Sequence, residues 1–341
     1  MRKITHRGIE INHIYQKMNG SKATLLTDFE IVGFPGLQDY KPALFAGFLT
    51  LFLVTLIANL LILILVALDQ RLHVPMYFFL WNLSLLDILI SIAIIPKLLA
   101  VLLGYSGTIS LSACFGQMYF IISIGATENC LVAAMAYDRY VAVVKPLHYN
   151  VIINLKTCLV IAAIVWILGF LIPASSVTLA SFLPYCASNR ILHCFCDYPA
   201  VVSLACADIT DHANGALGVA MLAIYVPFVF VLWSYFRIVL SVLKLKTAES
   251  RAKAFSMCSS HLIVVLLYYS STAIVYIGLR INNISYDGRI FIGGLNYFLI
   301  PMVNPMIYSL RNEKMKEAAK KYMKFQFLIS KKPKNGINSI R

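Results

Sequence analysis

Charge is scarce in this chain. Only 13% of its residues are charged, and 15 acids stand against 29 bases. At 60% hydrophobic residues over 341 positions, with a mean hydropathy of +0.78, a water-soluble fold is excluded, because no soluble core of this size needs so much apolar surface. The first 40 residues lack the apolar stretch of a cleavable signal peptide, so the first apolar helix is expected to act as the insertion signal. There is neither an internal repeat nor an interrupted apolar run, which argues against a transporter. No set of nucleophile, base and oxyanion donors presents itself, so the chain does not read as an enzyme. The net charge of +14 would suit a nucleic-acid binder in a polar protein, but here the bases lie between apolar runs and no nucleic-acid partner is expected.

What the chain has in plenty is apolar sequence, in seven stretches that reach the roughly 20 residues a bilayer core requires. They are 42–68, 74–96 (charged only at Asp87), 98–137 (only at Glu128), 157–189, 212–236, 254–279 (with only His261 inside it) and 290–310. The expected fold is an all-α membrane protein, a seven-helix bundle. With the amino terminus outside, 19 of the 29 bases fall on the inner side, from Arg71 through Arg139, Lys145 and Lys253 to the carboxyl-terminal segment. The positive-inside rule therefore predicts an extracellular tail over 1–41, a membrane domain over 42–311 and a cytoplasmic segment over 312–341. In that last segment Lys and Glu alternate with Met315, Ala319 and Met323 at helical spacing, which predicts a short amphipathic helix lying on inner-leaflet lipid.

The third stretch ends in Met135-Ala136-Tyr137-Asp138-Arg139-Tyr140-Val141-Ala142. An acid beside an arginine at a helix end can form a lock: Asp138 holds Arg139 until the bundle opens and Arg139 swings to a partner. A charged helix end snorkelling to the interface is the plainer reading. The longer string through Lys145-Pro146-Leu147-His148-Tyr149 resembles the third helix and second inner loop of olfactory receptors, which are rhodopsin-like G-protein-coupled receptors. Other segments resemble the same family in order: Leu72-His73-Val74-Pro75-Met76-Tyr77, Ser234-Tyr235, Lys253-Ala254-Phe255-Ser256-Met257-Cys258-Ser259-Ser260-His261-Leu262, and Pro301-Met302-Val303-Asn304-Pro305-Met306-Ile307-Tyr308. Phe34-Pro35-Gly36-Leu37 looks like the fish-like class I branch, whereas Ser309-Leu310-Arg311-Asn312 looks like class II.

The resemblance implies a plasma-membrane receptor that binds a small odorant and activates a heterotrimeric stimulatory G protein. Asp138, Arg139, Tyr140, Tyr235, Asn304, Pro305 and Tyr308 would form its activation switch. A non-olfactory rhodopsin-like receptor for another small ligand is the alternative. It also implies disulfides Cys114–Cys196 and Cys186–Cys206, leaving Cys194 over where family members commonly carry an aromatic residue. His193-Cys194-Phe195-Cys196-Asp197 has metal-ligand residue types, but a disulfide at Cys196 would consume a needed thiolate.

Asp87 lies roughly 20 Å along its helix from Val74, and Glu128 roughly 17 Å from Arg139, at about 1.5 Å per residue. Two carboxyls at similar depth cannot both stay ionised without a cation. They read either as a site for sodium or a proton, with Asn304 nearby, or as a neutral hydrogen-bonded knot. No other cofactor is implied.

Helical steps from these landmarks place Ile121, Ile122, Gly125 and Ala126 on the third helix, and Thr272, Ala273, Tyr276 and Arg280 on the sixth, around a largely apolar ligand pocket. Any one of them could equally be ordinary packing. Isoleucine at 121, where aminergic receptors place an aspartate, disfavours an amine. Arg280 at the mouth could grip a carboxylate, or else snorkel to headgroups or pair with Asp287.

Asn19-Gly20-Ser21 is a glycosylation acceptor in the expected outer tail. Met18 precedes it, as family members begin shortly before such a sequon, so residues 1–17 read as an upstream extension. A second sequon, Asn82-Leu83-Ser84, lies within an apolar stretch and should be unmodified. The predicted orientation has a direct test: glycosidase should increase the gel mobility of the expressed wild type and leave Asn19→Gln unchanged.

Overall fold

The computed structural model describes residues 26–186, 188–278 and 283–330. Within them, seven helices are long and apolar enough to cross a membrane. In chain order these are α1 (Lys41–Leu68), α2 (Pro75–Leu102), α3 (Leu111–Val144), α4 (Leu155–Leu171, continued by Ala174–Ser181), α5 (Thr210–Leu243), α6 (Ala248–Gly278) and α7. The last is built from Tyr286–Gly294, a π-helical turn Leu295–Leu299, and Ile300–Arg311. A further helix, α8 (Glu313–Ser330), follows.

The helices start where the sequence supplies a signal. Pro42 and Pro75 occupy the first turns of α1 and α2, where a missing N–H costs nothing. Ser110 caps α3 by accepting from the Ala113 N–H, Asn154 caps α4 by accepting from Thr157, and Ser285 caps α7 by accepting from Gly288.

α3 is the spine of the bundle. Its most apolar window is 67% buried inside the protein, against 11% for α5, which turns most of its surface outward. That is why α3 can carry Ser123, Thr127, Glu128 and Asn129, all buried, within a membrane-length helix. α4 packs on it at Gly169, where an added Cβ would collide with Thr127, so only glycine permits this approach. Polar side chains tie the outer helices in. Asn59 of α1 donates to the Pro301 carbonyl of α7 at 2.9 Å, and the Trp166 indole of α4 donates to Asn82 Oδ1 of α2 at 3.1 Å. Asn82 is buried, in keeping with an unmodified sequon.

One end of the bundle is closed by a three-stranded sheet that the hydropathy pattern had not disclosed. β1 (Asp28–Ile31) runs antiparallel to β2 (Thr108–Ser110) and parallel to β3 (Arg190–Ile191). Phe29 and Ile31 are fully covered. Beyond the sheet, Phe34 packs on Phe48 of α1 and Phe291 of α7. The Gly36 N–H then donates to the Asp287 carboxylate, at 3.0 Å to Oδ2. A Cβ at Gly36 would overlap that carboxylate. Asp287, considered above as a partner for Arg280, is thus engaged by the tail.

Both expected disulfides are present, Cys114–Cys196 and Cys186–Cys206, and Cys194 is free and fully buried. Burial pushes its thiol pKa up, which leaves it inert, and its Sγ lies 3.7 Å from His193 Nδ1. Among the described residues no group of three or more His, Cys, Asp or Glu is placed to hold a metal.

At the opposite end α8 docks on the α1–α2 turn. Met315 and Ala318 are buried against the bundle. Arg71 bridges Asp69 at 2.7 Å and Glu317 at 3.4 Å, and Tyr322 donates to the Leu68 carbonyl at 2.9 Å. The Arg71 guanidinium holds the Asp69 carboxyl well below the usual carboxylate range.

A native disulfide contributes about 2–4 kcal/mol. Cys114→Ser or Cys196→Ser should therefore abolish surface expression, measured by antibody staining of intact cells, while Cys194→Ala, which leaves no buried polar atom behind, should retain it.

Candidate functional site

At the α8 end the predicted lock is formed. Arg139 Nε donates to Asp138 Oδ2 at 2.9 Å, and its Nη2 contacts the same oxygen. The Tyr149 hydroxyl donates to Asp138 Oδ1 at 2.7 Å. Both carboxylate oxygens are thus engaged and both charges are buried, so neither can be lost singly without stranding the other. Tyr149 was not foreseen as part of the lock. Its only signal in the sequence was its place at the end of the string Lys145-Pro146-Leu147-His148-Tyr149, and the short helix Tyr149–Ile152 is what brings it back under α3.

A cavity of about 120 Å³ adjoins this pair, lined in part by Asp138, Arg139, Ser260, His261, Tyr308 and Asn312. His261 settles the state of Tyr235. Its Nε2 lies 3.2 Å from the Val132 carbonyl, which can only accept, so Nε2 carries the proton and Nδ1 is the acceptor for the Tyr235 hydroxyl at 2.8 Å. Tyr235 is therefore held across α5 and α6 by His261 rather than by Arg139. The lone histidine in an otherwise uncharged apolar stretch was the available sequence signal. The Tyr308 hydroxyl is buried with no hydrogen-bond partner among the described residues. Tyr140 points elsewhere, packing on Trp233 of α5 with ring centroids 5.1 Å apart. Pro305, inside α7, leaves its carbonyl to Ser309 Oγ at 2.5 Å.

Midway along the bundle Asp87, Glu128 and Asn304 are all buried. The Asn304 amide donates to both oxygens of Asp87 at 3.3 Å and also interacts with Glu128. Glu128 Oε1 has no hydrogen-bond partner among the described residues. The acids anticipated from helix depth alone are thus gathered around one amide, and one of their oxygens is left unsatisfied.

In the half nearer the sheet, Ile121 is buried, and Ile122, Gly125 and Ala126 are partly so. A Cβ at Gly125 would meet nothing within 4 Å, so open space lies beside α3 there. Thr272 is buried and Ala273 exposed. Arg280, the Tyr276 side chain and Asn19 lie outside the described residues. Two groups not singled out from the sequence stand here: Tyr268 donates to the Gly125 carbonyl at 3.3 Å, and Asn296 of α7 donates to Thr272 Oγ1 at 3.2 Å. Gln117, which helical steps up from Glu128 place on the same face as Gly125 and Ile121, donates to the Ala93 carbonyl while accepting from the Cys196 N–H. The last contact ties the disulfide-bearing loop to α2 and α3. Phe195, on the same loop, meets Tyr297 edge-on at 5.4 Å, so the loop reaches into the bundle.

A family model described as "Olfactory receptor" matches residues 48–326. Human olfactory receptor 6N1 is 42% identical over 300 residues, covering 88% of this chain and 96% of that protein. Human olfactory receptor 10A5 is 42% identical over 297 residues, covering 86% and 93%. Human olfactory receptor 6F1 is 40% identical over 307 residues, covering 90% and 99%. Taken with the seven-helix bundle, the Asp138–Arg139 pair and the Cys114–Cys196 link, these matches show that the chain belongs to the olfactory receptor family of G-protein-coupled receptors and is not an enzyme.

Proposed function

We propose that this receptor binds a small odorant in the half of the bundle beneath the sheet and activates a heterotrimeric stimulatory G protein at the Arg139 end. The capped end and amino terminus face outward from the plasma membrane, and the carboxyl terminus faces the cytosol. The observation that carries this reading is the buried Arg139, paired with Asp138 and opening onto the cavity between α3, α6 and α7. Outward movement of α6 separates His261 from Tyr235 and frees Arg139 for the G protein. Asn304, Pro305 and Tyr308 serve the same transition from α7.

Asp87 and Glu128 hold a sodium ion or a proton between them; the orphaned Glu128 Oε1 supports a site that an added cation completes. Ile121, Ile122, Gly125, Ala126, Thr272, Ala273, Tyr276 and Arg280 line the ligand pocket, with Arg280 as a clamp for acidic ligands at its mouth. Within the family we place the chain in class I on Phe34-Pro35-Gly36-Leu37, against which Ser309-Leu310-Arg311-Asn312 stands; clustering with class II receptors in a sequence tree overturns that placement.

Three measurements test these assignments. Arg139→Ala should abolish the cyclic-nucleotide response at unchanged surface expression, and a normal response from the mutant removes Arg139 from the switch. Asp87→Asn should change the sodium or pH dependence of the response, whereas a response unaltered over a wide range of both supports a purely structural knot. Arg280→Gln should weaken responses to carboxylic acids about tenfold or more and spare their methyl esters; equal loss for both excludes anion binding.

A further inference from the structure

We infer that the open space beside Gly125, where Tyr268 of α6 meets α3, selects ligands that bring a hydrogen-bond donor, and that Asn296 of α7 is the positioning residue that helps set this preference through Thr272. The inference deepens the reading of a ligand site in this half of the bundle and names the chemistry of the group that enters it.

The argument is a count of protons. Tyr268 and Thr272 are four residues apart on α6 and so share a face. The Tyr268 hydroxyl donates to the Gly125 carbonyl, and Thr272 Oγ1 lies 2.8 Å from the Tyr268 carbonyl. Carbonyl oxygens only accept, and each hydroxyl has one proton to give. The π-helical turn at Leu295–Leu299 directs Asn296 toward α6, where its amide meets both Thr272 Oγ1 and Ser271 Oγ. Ser271 Oγ also lies 2.8 Å from the Tyr268 carbonyl.

Two arrangements satisfy this set. In one, Ser271 donates to Asn296 Oδ1, Asn296 Nδ2 donates to Thr272, and Thr272 donates to the Tyr268 carbonyl. In the other the amide is turned: Ser271 donates to the Tyr268 carbonyl, Asn296 donates to Ser271, and Thr272 donates to Asn296 Oδ1. Thr272 has given its proton away in both. What it offers is lone pairs, as does the Tyr268 hydroxyl below it.

The neighbouring polar groups are committed in the same sense. Tyr269 donates to Asn129 Oδ1 at 2.8 Å, Asn129 donates to the Ala223 carbonyl at 2.6 Å, and Gln117 donates to the Ala93 carbonyl. A Cβ at Gly125 would meet nothing within 4 Å among the described residues, and the carbonyl of that same residue accepts from the Tyr268 hydroxyl. A group entering there meets acceptors. An alcohol can donate to them. An ether, ketone or ester brings a second acceptor and leaves a desolvated lone pair unpaired, the costly case for a buried polar contact.

The experiment uses the full chain in cells, with surface expression measured alongside the cyclic-nucleotide response. The probes are medium-chain primary alcohols, each paired with a methyl ether of equal heavy-atom count. Alcohols should act at about tenfold lower concentration than their ethers. Thr272→Val should bring the two members of a pair to about the same potency, and Thr272→Ser should restore the difference. Asn296→Leu should narrow the alcohol-to-ether ratio, because the Thr272 hydroxyl is then held by the Tyr268 carbonyl alone and can exchange that contact to donate to an ether; a loss of packing alone would weaken both probes alike. Ethers as potent as their alcohols on the wild type, or a ratio that Asn296→Leu leaves unchanged, would overturn this inference while leaving the ligand site standing. A response to carboxylic acids with silence toward every alcohol and ether would overturn this inference alone; silence toward these probes and toward the acids and esters as well, at normal surface expression, would overturn the ligand-site reading and this inference with it.

Discussion

Inside a bilayer a polar group has only the protein to bond to, and this constraint organises the whole molecule. Polar side chains within the bundle find a carbonyl, amide or carboxylate on another helix: Asn59 on α7, Trp166 on α2, Asn129 on α5, His261 on α3, Asn304 on Asp87. α3 is the helix most enclosed by protein. It can therefore carry the glutamate and the Asp138–Arg139 pair that a lipid-facing helix could not.

The same constraint separates parts that must hold from parts that can move. The sheet, the two disulfides and the Gly36–Asp287 contact fix the capped end by covalent bonds and backbone hydrogen bonds, which do not rearrange readily. The Arg139 end is held by side chains instead: a carboxylate shared between Arg139 and Tyr149, a tyrosine on a histidine, a tyrosine hydroxyl with no hydrogen-bond partner among the described residues. Side-chain contacts can be exchanged for others of similar strength, so this is the end at which a second arrangement of α6 is accessible. The unsatisfied Glu128 oxygen lies between the two, where a change of charge would be felt in both directions.

Much of this was legible beforehand. Seven apolar stretches must be seven spans because only a helix satisfies its own backbone in lipid, and Asp138, Arg139 and the acid pair were visible as charges that such spans rarely tolerate. The cysteine pairing came from resemblance, and the structure bears it out. Other features were hidden for identifiable reasons. β1 is only four residues long and pairs with strands about 80 and 160 positions away, so no local pattern announces it. Tyr149 and Asn296 look like ordinary loop and helix residues. Their roles depend on a four-residue helix in one case and a π-helical turn in the other, and neither has a hydrophobic period to reveal it.

The sequence by itself determined the number of spans, the family and the charged pairs, because apolar length and isolated charges are properties of the chain, independent of how the helices pack. Only the tertiary structure decided which way each proton points. Tyr235 donates to His261 because Val132 of α3 has already fixed the imidazole, and the Thr272 hydroxyl shares its bonds between the Tyr268 carbonyl and the Asn296 amide that α7 brings beside it. A hydroxyl's chemistry is set by the acceptors nearest to it, and in a helix bundle those acceptors come from other spans.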